Sequence, residues 1–259
     1  MLRPGHGFGF LISCFMAFCL ALGGAVPPAG AAGSGSIGEA RAAYAAGRFV
    51  EAVRIAEMLR TAEGYALAAE SLTIHAHHIA EDGEREMLLE RAIDLAGKAV
   101  DSDPDNANAH LQLARAIGRH AQAIGSFEAA GRGYAKRIRE ATETALRLEP
   151  GMAAAHLSLG LWNAEVVAAV GPFMARLIYG ARKKNALAAF ERALRLAPHA
   201  KAVPLEYALG LLVLDGGDYR EKAAELLRRA IRIPVEDAYD RLLQERAVER
   251  LEALESSGG

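Results

Sequence analysis

The densest group of side chains able to do chemistry is Ile74-His75-Ala76-His77-His78-Ile79, with Asp82 just beyond it. A helix puts His75 and His78 on one face, and Asp82 follows one turn later. Imidazole and carboxylate are zinc ligands, but spacing ties no further ligand to this set, and a structural zinc site is a closed one. The competing account is a polar helix edge running into the turn at Glu81-Asp82-Gly83. The expectation is therefore no metal, with His75, His78 and Asp82 as the one candidate set. His110 and His156 occupy equivalent points of an internal repeat. Each reads as a half-buried stand-in for an aromatic residue at a helix seam, histidine being commonly part-buried.

Three further patterns lose their chemistry on inspection. Asp101, Asp103 and Asp105 alternate as in a calcium loop. Pro104 stands among them, and the glycine and closing glutamate of such a loop are missing, so they read as helix caps. Gly33-Ser34-Gly35-Ser36-Ile37-Gly38 spells G-x-G-x-x-G, but a dinucleotide fingerprint follows a strand. Here it follows a leader and reads as a flexible linker. No H-E-x-x-H, G-x-S-x-G or phosphate-loop pattern occurs. The expectation is a binding protein without catalytic residues or cofactor, not an enzyme.

Composition limits the partners. The net charge is −2, with charged residues at 24%, so no basic field exists to gather nucleic acid or anionic lipid. Hydrophobic residues make up 52% and aromatics only 6%. Alanine and leucine dominate the apolar part, which favours packed helices over sheets.

Residues 1–31 read as a secretory signal peptide: Arg3, an uncharged apolar run from Phe8 to Val26, Pro27-Pro28, then Ala29-Gly30-Ala31 as an A-x-A cleavage site. The run is also long enough for an uncleaved anchor, which would be the one membrane contact. Both cysteines, Cys14 and Cys19, lie inside it, leaving the exported chain no thiol. The location expected is periplasmic or otherwise exported, with residues 32–38 as linker.

The elements that must position any site come from a repeat. Pro104, Pro150, Pro198 and Pro234 close similar segments, such as Thr144-Ala145-Leu146-Arg147-Leu148-Glu149-Pro150 and Arg192-Ala193-Leu194-Arg195-Leu196-Ala197-Pro198. Small or aromatic residues precede the prolines at fixed offsets: Ala92, Ala96 and Ala99 before Pro104, and Ala186, Phe190 and Ala193 before Pro198. A new helix opens after each proline, with His110, Leu113 and Ala114 in one unit matching His156, Leu159 and Gly160 in the next. Small residues there let two helices approach closely, and proline cannot continue the helix before it.

These segments resemble the tetratricopeptide (TPR) repeat. Tyr44, Gly47, Phe49, Ala52 and Ala56 look like the turn and second helix of another unit, and Gly217-Asp218-Tyr219 like a further turn. The resemblance implies an all-α solenoid of antiparallel helical hairpins, about five over residues 39–234. Two units are lengthened, one around Gly125-Ser126 and Gly131-Arg132-Gly133, the other by Val166 to Gly180. Gly171-Pro172 must break or kink the helix in the second. Trp162 after Leu159-Gly160, with an apolar insertion behind it, is similar to the helical domain of the regulator of microtubule dynamics family, a divergent TPR group. Residues 235–255 form a last helix with the apolar stripe Ala238, Leu242, Leu243, Ala247, Leu251 and Leu254. It is expected to cap the solenoid, with Glu236 and Asp237 in its first turn and residues 256–259 as a loose tail.

In TPR proteins the first helix of each hairpin lines the concave face. By analogy Asn108, Arg115, Arg119, Asn163 and Glu165 are the residues expected to touch a protein or peptide partner; ordinary solvated positions are the simpler account. The alternative is a small-molecule accessory protein of an uptake system. In that reading Trp162, Val166, Val170, Phe173, Leu177 and Tyr179 line a pocket for a hydrophobic ligand, unless that run packs on a neighbouring hairpin.

Overall fold

A computed structural model of the chain describes residues 35–215 and 217–256; the expected signal peptide and most of the expected tail lie outside them. Among the described residues there are twelve α-helices and no strand. They are α1 (Ile37–Ala45), α2 (Phe49–Met58), α3 (Ala62–His78), α4 (Asp82–Ser102), α5 (Ala107–Ile124), α6 (Ser126–Gly131), α7 (Tyr134–Leu148), α8 (Ala153–Met174), α9 (Lys183–Leu196), α10 (Ala202–Asp215), α11 (Arg220–Arg232) and α12 (Ala238–Ser256). Consecutive helices pair as α1/α2, α3/α4, α5/α7, α8/α9 and α10/α11, and the first helices touch one another through α1·α3, α3·α5, α5·α8 and α8·α10. This is the TPR solenoid.

The repeat residues explain the pairing. Ala92, Ala96 and Ala99 on α4 and Ala186, Phe190 and Ala193 on α9 are all buried. Phe190 is held from two sides. A Cβ on Gly160 would lie 2.5 Å from the Cδ1 and Cε1 side of its ring, and one on Gly210 would lie 2.4 Å from Cζ at the ring's tip. Tyr207 stacks on it with ring centroids 4.8 Å apart. The two glycines therefore set how closely α8 and α10 approach α9. His110 and His156 are half-buried, and the Nε2 of each lies 2.7 Å and 3.0 Å from the carbonyl oxygens of Pro104 and Pro150. A carbonyl only accepts, so both rings carry the proton on Nε2 and latch the start of one hairpin to the end of the previous one.

Both insertions take the forms their glycines dictate. Gly125 (φ 85) and Gly133 (φ 67) adopt left-handed backbone on either side of α6, a conformation costly for other residues. In α8, Gly171 (φ 77, ψ 157) interrupts the helix, and Pro172 opens a short stretch ending in the π-turn Ala175–Tyr179. The span Ala153–Tyr179 is apolar enough to cross a membrane by length and composition. In this fold Ala155, Leu157, Gly160, Trp162 and Ala164 bury its first part.

The last helix does more than cover an end. Asp237 precedes α12 and accepts from Asp240 N at 2.8 Å, so it caps the helix from outside the first turn. Leu243 and Ala247 are buried against the last hairpin. Lys201, 1% exposed, donates to the carbonyls of Ala230 (3.0 Å) and Ile233 and to Gln244 Oε1 at 2.6 Å. It thereby satisfies orphan carbonyls at the end of α11 and ties them to α12. From there α12 reaches the opposite end of the array. It contacts α1, Tyr239 lies edge-on to Tyr44 and His78, and Arg246 Nη1 donates to His77 Nε2 at 2.6 Å.

Candidate functional site

Arg115, Arg119 and Gln122 lie at successive turns of α5, on the face shared by the first helices, while Leu111, Ile117 and His120 point into the core. Arg115 Nη1 is 3.6 Å from Glu70 Oε1 of α3. Arg119 Nη2 is 2.6 Å from Glu206 Oε1 of α10, the two side chains being 17% and 5% exposed. Arg119 Nη1 also donates to Gln122 Oε1 at 3.0 Å, and Gln122 Nε2 donates to Glu165 Oε1 of α8 at 2.5 Å. One helix thus gathers polar groups from three others.

Burial decides how these groups titrate. It would raise the carboxyl of Glu206, but Arg119, with Arg246 and Arg115, outweighs it and holds Glu206 below the usual carboxylate range. Glu70 and Glu165 go the other way: burial dominates, and Arg115 and Gln122 respectively do not offset it, so both are pushed up. Burial, reinforced by Arg119, lowers His77 strongly and His78 to about 4. His77 accepts from Arg246, so its ring is neutral with the proton on Nδ1. Arg115 and Arg119 are pushed up by the acidic groups around them in spite of burial, whereas burial pushes Arg246 down.

Beside this network lies a cavity of about 720 Å³. Arg115, Arg119, Glu165 and Glu206 form its polar end; Ile138, Leu157, Leu161, Trp162, Val166 and Val170 are among its walls. Trp162 is fixed in place. Its Nε1 donates to the Ala135 carbonyl at 2.7 Å, and the Arg139 guanidinium sits 5.7 Å over the ring. Arg139 also donates to the Tyr179 carbonyl at 2.9 Å, holding the second insertion against α7. Phe127 of α6 lines the mouth and is 94% exposed.

The structure divides the residues expected from sequence. Arg115, Arg119 and Glu165 line the cavity. Asn108 is exposed and accepts from Gln112 Nε2 at 3.0 Å. Asn163 departs from the expectation of a partner contact. It is 2% exposed, donates to the Leu159 carbonyl at 2.9 Å and accepts from Arg182 N at 3.0 Å, pinning the start of α9. Of the apolar set, Trp162, Val166, Val170 and Tyr179 line the cavity. Phe173 and Leu177 do not: they are 68% and 67% exposed, because the break at Gly171 resets the helical phase. His75, His78 and Asp82 are not brought together. His75 borders a groove with Glu84 and Met87, His78 faces Tyr239, and Asp82 pairs with Arg85 at 2.7 Å.

Sequence reasoning passed over Glu206, Gln122, Tyr134 and Phe127. Glu206 left one usable signal, a lone carboxylate in the otherwise apolar run from Ala202 to Leu214.

Known proteins share this architecture. A thermophilic TPR protein of Thermus thermophilus superposes with a TM-score of 0.58 at 19% identity, covering 82% of this chain and 97% of that one; at this identity the likeness is one of fold. No curated protein matches the chain. The family model for regulator of microtubule dynamics protein 1-3 matches residues 55–255, from α2 to the end of α12. The chain therefore belongs to the regulator of microtubule dynamics protein 1–3 family, built on a TPR-like solenoid.

Proposed function

We propose that the protein is an exported interaction scaffold whose cavity between α5, α6, α7, α8 and α10 takes an apolar, acid-bearing segment of a partner protein. The observation that carries this is the pairing of apolar walls with a polar end that presents the guanidiniums of Arg115 and Arg119. Apolar walls reward side-chain burial, and a few placed charges set orientation. The exposed ring of Phe127 at the mouth supports the same reading, since interface anchors are commonly aromatic. Export rests on the sequence order of Arg3, apolar run and Ala29-Gly30-Ala31.

The test fills the cavity. Ala169 lines it with its side chain on the exposed side, so Ala169→Trp occupies the space without entering the core. A crosslinking pull-down from the native compartment is expected to return a stoichiometric protein with the parent chain and to lose it with Ala169→Trp. Equal recovery by both would refute the site.

A second reading is a small hydrophobic ligand, favoured by a volume inside the usual small-molecule range of roughly 300–1,000 Å³. A ligand adduct in the native mass spectrum, absent from Ala169→Trp, with an empty pull-down, selects this reading over the first.

A further inference from the structure

A second cluster forms between α4 and α5. Glu86 and Glu90 stand one turn apart on α4. His120 of α5 is fully buried, and its Nδ1 lies 2.9 Å from the Tyr134 hydroxyl. Its other nitrogen, Nε2, is buried without a hydrogen-bond partner. That nitrogen lies 4.0 Å from Glu86 Oε1 and 3.9 Å from Glu90 Oε1, too far for a hydrogen bond to either.

We propose that Glu86, Glu90 and His120 form a binding site for a divalent transition-metal cation, with Zn²⁺ as the probe. A buried polar atom left unpaired in a native fold calls for an explanation, and a bound ion is one of the standard ones. Borderline cations such as Zn²⁺ take imidazole nitrogen and carboxylate oxygen together. The Tyr134 hydroxyl is the outer partner that a ligating histidine usually has. With Nδ1–H donated to it, the Nε2 lone pair faces the two carboxylates. Ligand bonds of about 2.0–2.2 Å need the three atoms to draw together slightly. The glutamate side chains, 56% and 51% exposed, are free to do so.

A cation already serves these carboxylates. Arg132 Nη1 is 3.0 Å from Glu90 Oε1 and Nη2 is 4.0 Å from Glu86 Oε1. Arg132 also has an independent anchor, Glu128 Oε1 at 2.6 Å. It can therefore swing to Glu128 when a metal takes its place, which makes it the competitor of the metal.

The experiment is calorimetric titration of ZnCl₂ into the untagged full chain, first stripped with chelator. The expected result is one Zn²⁺ per chain. Binding should weaken at least about tenfold in Glu86→Gln and in Glu90→Gln, both surface changes that spare the fold. It should stay unchanged in His75→Gln and His78→Gln, and tighten in Arg132→Gln. Failure of both the parent chain and Arg132→Gln to bind one equivalent overturns the site. So does binding that is unaffected by Glu86→Gln and Glu90→Gln.

Discussion

Replacing Gly160 by alanine tests the packing argument most sharply, because the same substitution elsewhere should have the opposite sign. In a helix interior alanine is favoured over glycine by about 1 kcal/mol. At Gly160 the new Cβ would meet two carbons of the Phe190 ring at 2.5 Å, where ordinary contact begins near 3.4 Å. The ring cannot retreat. Gly210 stands against its tip so closely that a Cβ there would lie 2.4 Å from Cζ, and Tyr207 covers its face. Overpacking of this kind costs about 1–3 kcal/mol, and a ring held on three sides belongs at the upper end. After the propensity gain, Gly160→Ala should destabilise by about 1–2 kcal/mol, and Gly210→Ala by as much. The control is Gly97→Ala in α4, where an added Cβ meets nothing within 4 Å and stability should rise by up to about 1 kcal/mol. Urea unfolding followed by circular dichroism reads all three. Pairing Gly160→Ala with Phe190→Leu should recover part of the loss. If Gly160→Ala and Gly210→Ala match Gly97→Ala in sign, the clamp does not exist.

Acid should loosen the closure by α12. His78 has its folded pKa lowered to about 4, so the unfolded chain binds its proton first. This contribution is intact above the ordinary value near 6.5 and is lost as pH falls towards about 4, amounting to at most about 3 kcal/mol. The urea midpoint should fall over that window, and less steeply in His78→Gln; a midpoint flat between those pH values would contradict the burial of the ring. Arg119→Ala leaves Glu206 buried without its direct partner and should cost about 3 kcal/mol, whereas Glu206→Gln, which removes the charge, should cost less; equal losses would mean the pair is not a buried ion pair. The chain recovered from the exporting cell should begin at Ala32, and Edman sequencing that starts at Met1 would reject a cleaved leader.

Much of the hairpin order was legible, because it is set by residues close in sequence. Proline at a repeat end and alanine at the close-packed offsets impose the local turn and approach. Gly171-Pro172 announced its own break. His110 and His156 shared a role because they share a repeat position. The parts that were not legible depend on residues far apart. Tyr239 and Arg246 lie on a helix whose stripe shows only that it packs somewhere, not that it reaches Tyr44, His77 and His78. Arg119 finds Glu206 two hairpins away, a distance no repeat pattern encodes. The apolar run Val166 to Tyr179 did not show which of its residues line the cavity: Val166, Val170 and Tyr179 do, while Phe173 and Leu177, beyond the positive-φ Gly171, are exposed. The histidines adjacent in sequence drew attention to a metal, yet the ring beside two carboxylates is His120, whose neighbours come from another helix.

Entry of a partner into the cavity beside α6 is tested by site-specific photocrosslinking in the native cell. A photoreactive residue replaces Phe127 at the mouth, and another replaces Val235, exposed between α11 and α12. One discrete protein adduct is expected from position 127, lost when Ala169→Trp is added, and none from position 235. Identical adducts from both positions, or an adduct from 127 that survives Ala169→Trp, would contradict it.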